Sequence, residues 1–361
     1  MKVLIVTTSY PAHEEDPSGH FVRAEARRFV QAGHEVQVVA PLDRSSSSAT
    51  SDPWTVHHVG GSALFGWPGA VARLKTNPSR VIRVLPFFVA ARRCIEAVGR
   101  VDRVIGHWIV PSGIPLLVDH PAALEVVAHG ADVRLLCALP RPVRELLVAR
   151  LLDRATRFRF VAGSSLQTLA NRLSLQTSAR LYDAAYVEPA AMDLPDVAAR
   201  AVHLRAAMDA KVGGFVVAVG RLLELKRFDL AILGAARARV PIVIVGDGPL
   251  GSELETLARR VGVDARFMGL LSRAETLAWI GAARVLVHPS RAEGAPTVVR
   301  EARALGVAVV ATACGDVEEW ARRDRGIVIA KPGPNELGIE IARVFGDRVG
   351  DVAKSVNEEI R

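Results

Sequence analysis

Short apolar runs of strand character alternate with helical stretches along nearly the whole chain, and they do so in two series. The first series places strands at Val3–Thr8, Glu35–Ala40, Val101–His107, Leu124–His129 and Arg157–Ala162, with a helix over Phe21–Gln31 that Gly33 ends. The second places strands at Phe215–Gly220, Pro241–Gly246, Ala265–Met268, Arg284–His288 and Val307–Thr312. Helical patterns at Phe228–Arg239, Leu250–Val261, Arg273–Ala282 and Thr297–Leu305 separate them. Such alternation predicts parallel sheets covered by helices on both faces. The expected fold class is therefore α/β, with two Rossmann-like parallel-sheet domains. Tyr182–Lys211 interrupts both series with Pro189 and Pro195, so the domains are expected at 1–185 and 186–334. Residues 335–361 read as a helical segment that could pack back across the junction. Two such domains would bind a ligand in a cleft between their strand ends.

Composition narrows the class. The chain has 361 residues, half of them apolar, enough to bury two cores. No apolar run is long enough to span a bilayer. Met1–Thr8 imitates a signal peptide but has too short an apolar stretch, and reads as the first strand. Cys94, Cys137 and Cys314 are few, odd in number and far apart, as expected of reduced thiols in a cytoplasmic protein. No Cys/His spacing fits zinc, and no metal site is expected. The formal net charge is +8, with a basic bias between Arg73 and Arg103 (Arg73, Lys75, Arg80, Arg83, Arg92, Arg93). That segment reads either as a solvated arginine-rich face or as a peripheral contact with the anionic inner face of the cytoplasmic membrane. Aromatics make up only 5% and no recognition motif appears, so nucleic acid is not an expected partner. Arg44–Asp52 reads as a low-complexity polar loop.

One motif misleads. Gly246-Asp-Gly248-Pro-Leu-Gly251 matches G-x-G-x-x-G after a strand and before a helix, the setting of a dinucleotide loop. Pro249 lies inside the turn, however, the preceding strand is not the first of its domain, and Asp264 precedes the next strand instead of ending it. A tight glycine turn, or a loop beside a different nucleotide, fits better.

The charged groups of the second series point to one anionic ligand. Gly220-Arg221-Leu-Leu-Glu-Leu-Lys226 follows a strand end, where the guanidinium fork and the ammonium suit a diphosphate. Glu293 lies on a strand-to-helix loop and Glu301 within the helix that starts near Pro296. Gly294 permits close backbone approach, and the helix start offers free N–H groups to an anion. Glu301 can accept hydrogen bonds from vicinal hydroxyls such as those of ribose. Glu293 can do so from a sugar ring.

With these residues in view, Glu293-Gly294-x-Pro296…Glu301-Ala-x-Ala-x-Gly306 resembles the Glu-x7-Glu region of the family-four retaining glycosyltransferases (glycosyltransferase group 1), which have the GT-B fold. Gly220-Arg221-Leu…Lys226, Val245-Gly246-Asp247-Gly248-Pro249 and Phe267-x-Gly269 agree with that family. So, more weakly, do Gly19, Gly33-His34-Glu35-Val36, His107-Trp108…Pro111-x-Gly113 and His129-Gly130-Ala-Asp132. The resemblance implies that Arg221 and Lys226 hold the donor diphosphate and that Glu301 binds ribose. Glu293 and the backbone of Gly294, Ala295 and Pro296 would contact the donor sugar. Gly246, Gly248, Phe267 and Gly269 would flank the nucleotide. Gly19 would let the first loop approach the phosphates, and His129 would contact the sugar from the N-terminal side.

The implied reaction is metal-independent transfer of a hexosyl group, with retention, from a UDP- or GDP-sugar co-substrate to a hydroxyl of a glycan, glycolipid or small molecule. No tightly bound cofactor is implied. Rival readings are a non-catalytic nucleotide-sugar-binding protein of this fold, a nucleotide-sugar epimerase and a sugar phosphorylase. His107 and Trp108 read either as cleft floor or as acceptor pocket. Asp132 reads as orienting His129 or as capping a short helix. His13, His20 and His288 read as structural or solvated. Three positions depart from the family pattern: Arg227 where glycine is frequent, Glu188–Asp193 near the domain connection, and Cys314-Gly315-Asp316 with one glycine where two are common.

Overall fold

The computed structural model describes residues 1–361 apart from 14–15, 17, 42–51, 66–69, 71–72, 75–76, 118–121, 156 and 360–361, and gives backbone alone at 62–63, 78, 81, 209–212 and 347–359. Most of the polar loop expected at Arg44–Asp52, and Lys75 of the basic segment, lie outside the described residues. The chain divides into two compact units, Met1–Asp193 and Leu194–Arg361.

Unit 1 holds seven strands: β1 (Lys2–Val6), β2 (Glu35–Ala40), β3 (Thr55–His58), β4 (Arg103–His107), β5 (Ala123–Ala128), β6 (Arg157–Phe160) and β7 (Ala185–Val187). They lie in the order β3-β2-β1-β4-β5-β6-β7, and all neighbours run parallel. Unit 2 holds β8 (Val216–Val219), β9 (Ile242–Val245), β10 (Ala265–Phe267), β11 (Val285–His288), β12 (Ala308–Thr312) and β13 (Ile327–Ala330) in the order β10-β9-β8-β11-β12-β13, again all parallel. Both units have the Rossmann-like form that the alternation predicts, the form expected of each half of a GT-B chain.

The strands read as unbroken apolar runs because both faces of each sheet are covered. Val3, Leu4, Ile5 and Val6 are wholly buried. In unit 2 the strand period of two sorts side chains into two cores. Val217, Val243 and Leu286 enter one, and Val216, Ile242 and Val285 enter the other. The helix Phe228–Ala238 seals the second core with Leu337 and Ile341 of the C-terminal helix Pro334–Glu359, whose Gly338 sits against Arg237 and the backbone of Gly234. Leu337, Ile341 and Val344 of that helix thus pack within unit 2.

Three strands escaped the sequence reading: β3, β7 and β13. Each is short and lies at a sheet edge. β7 explains why the compact units divide later than the expected 185/186 boundary. Ala185–Val187 pairs with Phe158–Phe160 and so belongs to the first sheet. The expected connection also contains the helix Ala198–Val212, whose Ala201, Leu204 and Met208 join the core around Leu277 and Ile280 of the helix Arg273–Ala282.

Each sheet reverses its winding direction once, between β1 and β4 and between β8 and β11. Ligands of open α/β sheets bind outside the carboxyl ends of strands at such switch points. The candidate residues gather there: Gly19, His107 and Trp108 after β1 and β4, and Gly220–Lys226 and Glu293–Pro296 after β8 and β11.

Candidate functional site

In unit 2 the backbone after β8 forms the floor. Gly220 has φ 147°, and the Lys226 side chain lies over its Cα face. The two glycines of the misleading motif serve this floor. A Cβ on Gly246 would stand 1.9 Å from the Gly220 carbonyl oxygen, and one on Gly248 would stand 2.7 Å from that of Leu222. The Leu222 N–H donates to the Asp247 carbonyl (3.0 Å). The glycines are thus required by close packing against the Gly220–Leu222 backbone, which fills the space a dinucleotide loop keeps open. Gly269, at φ 66°, accepts from the Gly246 N–H (2.8 Å) and ties the Phe267–Leu270 turn to the same loop.

Lys226 pairs with Glu293 through Nζ and Oε1, and both side chains are largely covered. The pair joins the loop after β8 to the loop after β11. Arg291 N–H donates to the Leu225 carbonyl (2.8 Å) and binds the same two loops through their backbone. Beneath the pair lies His288, the last residue of β11. Its Nε2 is buried with no hydrogen-bond partner among the described residues, and its pKa is pushed down to about 4 by burial and then by the Lys226 cation, against the pull of Glu293. The Cys314 thiol is pushed up to about 12 by burial and then by the Glu293 carboxylate, so it stays protonated. His288 is buried, so of the two readings given for it the solvated one is set aside.

The loop after β11 is held from the other side. Gly294 accepts from the Asp316 N–H (2.9 Å), and a Cβ on Gly315 would fall 2.0 Å from the Gly294 oxygen. The one glycine kept in Cys314-Gly315-Asp316 is therefore one that this packing demands, with φ 52°. Pro296 directly precedes the helix Thr297–Ala304, and Glu301 falls within it as expected. Glu301 is only 5% exposed and accepts from Arg273 Nη1 (2.9 Å), a partner the sequence reading did not single out. Arg227 takes φ 52° and ψ 45°, the left-handed region. The family's frequent glycine at that place is understood on this ground, and here the Arg227 side chain is held by Asp229.

In unit 1 Gly19 also has φ 62°, and a Cβ there would meet the Ser9 carbonyl oxygen at 2.1 Å, so only glycine lets the helix His20–Gln31 start against the loop after β1. Phe21 packs its ring 4.8 Å from that of His129, Trp108 lies 4.6 Å from it, and the two flanking rings are 5.7 Å from each other. His129 follows β5, and its Nε2 meets His107 Nδ1 at 2.9 Å. Asp132 combines both roles weighed for it. Its carboxylate accepts from the backbone N–H of His129, Val133 and Ile109, so it fixes the helix start, the His129 backbone and the loop after β4. Burial pushes it up to about 6, against those hydrogen bonds.

Behind these residues lies a buried charged cluster that sequence reasoning missed. Arg159 of β6 donates to Glu25 of the helix His20–Gln31 (2.5 Å) and stands 3.0 Å from Glu125 of β5. Arg103 and the Tyr186 hydroxyl close on Glu125 from either side. The signal was available: Glu125 and Arg159 are charged residues inside runs that otherwise read as buried strand, and buried charges must be paired.

The basic segment carries the helix Val84–Val98. Ile82 (74%) and Leu85 (69%) are well exposed, with Val89 on the next turn and Arg83, Arg92 and Arg93 beside them. No helix among the described residues is long and apolar enough to cross a membrane, and none of their His, Cys, Asp and Glu side chains group in threes to hold a metal.

Residues 213–347 match the family model of glycosyl transferases group 1. A D-inositol 3-phosphate glycosyltransferase of Mycobacterium leprae is 34% identical over 166 residues, 44% of this chain and 36% of that protein. Its counterpart in Kribbella flavida is 39% identical over 135 residues, 33% of this chain and 30% of that protein. The matched stretch thus spans about a third of the length of these curated relatives. Among solved structures, HepE of Anabaena in complex with UDP aligns with a TM-score of 0.64 at 18% identity, over 98% of this chain and 91% of that one. Sucrose-phosphate synthase of Thermosynechococcus elongatus aligns with a TM-score of 0.70 at 20% identity, over 96% and 90%. At these identities the likeness is one of fold.

Proposed function

We propose that this chain, whose residues 213–347 match the glycosyl transferases group 1, is a retaining glycosyltransferase that moves a hexosyl group from a nucleoside-diphosphate sugar to a hydroxyl, without a metal ion. The observation that carries this reading is the Lys226–Glu293 pair over glycine-lined backbone, at the carboxyl ends of β8 and β11. A cation held in place there by a carboxylate is ready to take up a diphosphate. Arg221 stands on the same loop and shares that task. Glu301, set by Arg273, takes the ribose hydroxyls. Glu293 and the backbone from Gly294 to Pro296 take the sugar.

The chemistry needs little more than this. As the bond from the anomeric carbon to the phosphate oxygen breaks, charge grows on the departing diphosphate, and Lys226 and Arg221 stabilise it. The acceptor oxygen bonds to the anomeric carbon on the face the diphosphate leaves, and its proton passes to a phosphate oxygen. HepE is named in complex with UDP and with UDP-glucose, so a UDP-sugar is the first donor to try and a GDP-sugar the second. The names of the curated relatives make a phosphorylated cyclitol the first acceptor to try, followed by glycan and lipid-linked acceptors. The exposed stripe of Ile82, Leu85 and Val89 among arginines suits a peripheral contact with an anionic bilayer, where a lipid-linked acceptor would be met. Failure to sediment with anionic vesicles at low salt removes that contact.

The test of the main reading is a thermal-shift series with UDP, GDP, ADP, TDP and NAD, each alone and without metal, followed by transfer from the matching nucleotide sugar. A rise in melting temperature with one nucleoside diphosphate, and release of that diphosphate on turnover, are expected. A rise with NAD alone overturns the reading. Binding without consumption of any sugar replaces the enzyme with a nucleotide-sugar-binding protein.

A further inference from the structure

Three buried groups of unit 1 form a line toward His129. Glu25 Oε2 lies 3.6 Å from His107 Nε2, and His107 Nδ1 lies 2.9 Å from His129 Nε2. The first distance brings a carboxylate oxygen just beyond hydrogen-bond reach of the imidazole, and the second is a full hydrogen bond. His107 is 1% exposed, and its Nε2 has no hydrogen-bond partner among the described residues, so the nearest group that can decide its protonation is the Glu25 carboxylate. The rings of Phe21 and Trp108 pack against the His129 imidazole and against each other.

We propose that Glu25, acting through His107, fixes the tautomer of His129 so that His129 presents Nδ1 as a hydrogen-bond acceptor to a sugar hydroxyl. This rests on the glycosyltransferase reading above for what His129 meets, but the tautomer itself does not.

The derivation follows the protons. Burial and then the neighbouring charges depress both imidazoles, His129 to about 3 and His107 well below its ordinary value, so each ring is neutral near pH 7 and carries one N–H. The Glu25 carboxylate beside Nε2 favours the proton on that nitrogen of His107. His107 Nδ1 is then a bare acceptor. The hydrogen bond to His129 requires a donor, so His129 carries its proton on Nε2. The remaining nitrogen of this partly exposed ring, Nδ1, is left with its lone pair. The same logic orients a catalytic imidazole through a buried carboxylate in other enzymes.

Several charged groups face the line: Arg159 holds Glu25 ionised and opposes a second proton on His107, while Glu125 and Glu188 push the Glu25 carboxyl up. Arg159 of β6 donates to Glu25 Oε1, which leaves Oε2 for His107. Glu125 of β5 and Glu188 after β7 face Arg159, with Arg103 and Tyr186 on Glu125. Asp132 reaches only the backbone N–H of His129 and leaves the ring to His107. Burial raises the Glu25 carboxyl, and the Arg159 cation opposes that rise without cancelling it. Glu25 and His107 touch no reacting atom in this scheme and act as positioning residues.

The experiment is ring-nitrogen NMR of histidine-labelled protein, with steady-state transfer measured alongside. In the unaltered chain His129 should show a protonated Nε2 and an unprotonated Nδ1. In Glu25→Gln the amide oxygen stays with Arg159, the NH2 group faces His107 Nε2, and the line must invert, so His129 Nδ1 becomes the protonated nitrogen. Nucleoside-diphosphate binding should be unchanged, while kcat falls by about tenfold, the scale of one reversed hydrogen bond. Glu25→Asp should restore the original tautomer. A protonated His129 Nδ1 in the unaltered chain overturns the proposal without any variant, as does an unchanged tautomer in a folded Glu25→Gln. Absence of transfer with the tautomer as expected sinks the glycosyltransferase reading and leaves the line of protons standing.

Discussion

The two units organise their charged residues in opposite ways. In unit 2 the candidate site is built from backbone: Gly220, Gly246, Gly248, Gly294 and Gly315 let loops approach within distances that no side chain tolerates, and one ion pair, Lys226–Glu293, lies across them. In unit 1 the corresponding strand ends rest on side chains: Glu25, Glu125 and Arg159 are buried together, and two imidazoles stand in front of them. A backbone floor is local and stiff, and in the reading proposed above it holds one partly covered ion pair where a ligand would meet it. A side-chain cluster depends on partners far apart in sequence, and its charges satisfy one another. The first arrangement suits a phosphate-binding surface. The second suits a support that sets the state of a single group at its edge.

This contrast predicts that a charge removed from unit 1 costs stability and one removed from unit 2 costs function. The largest effect should come from Arg159→Ala. It leaves Glu25 and Glu125 buried without their shared cation, and breaking such a buried pair costs about 3–5 kcal/mol. Urea unfolding followed by a unit 1 probe such as Trp108 fluorescence checks it. A loss below about 1 kcal/mol would mean that water reaches the cluster and that the contrast is false. Next comes Lys226→Ala. The pair it breaks is partly open to solvent, so stability should change little. Turnover should fall by about 10²–10³, the scale of losing one group that stabilises developing charge. Steady-state kinetics with the nucleotide sugar found by the thermal-shift series decides it, and an unchanged kcat removes Lys226 from the site.

The same contrast explains what could be read before the structure. The apolar alternation gave both sheets, because strands of a parallel sheet are covered on both faces and leave a strong signal. Unit 2's site was legible because its parts are short segments whose glycines and charges stand close in sequence, such as Gly220–Lys226 and Glu293–Glu301. The role of Gly246 and Gly248 was not, since G-x-G reports a close backbone approach without saying to what. Here the answer is the Gly220–Leu222 backbone. Unit 1's cluster was the least legible part. Glu25 and Arg159 are 134 residues apart, and only the sheet order brings them together. The short edge strands β3, β7 and β13 were missed because so few residues carry no clear period.

A smaller effect, in pH dependence, sharpens the comparison further. His107 and His129 in unit 1 and His288 in unit 2 all have their pKa lowered in the folded chain, first by burial. An unfolded histidine titrates near 6.5. Between that value and the depressed folded value, the unfolded chain binds the additional proton, so stability falls as the pH drops below about 6.5 and is retained above it. With His288 depressed to about 4, unit 2 should lose about 2 kcal/mol between pH 7 and pH 5 from this residue. Unit 1 carries two such histidines and should lose more, though less than twice as much, because Asp132, raised to about 6, takes up a proton in the same window and offsets part of the loss. Hydrogen exchange resolved along the chain at pH 7 and pH 5 reads the two units separately. The raised carboxyls of Glu25 and Asp132 act with the opposite sign, each holding a proton more tightly when folded. Steeper acid loss in unit 2 than in unit 1 would mean that the two imidazoles share a proton instead of remaining neutral, and the line from Glu25 to His129 would then carry a charge.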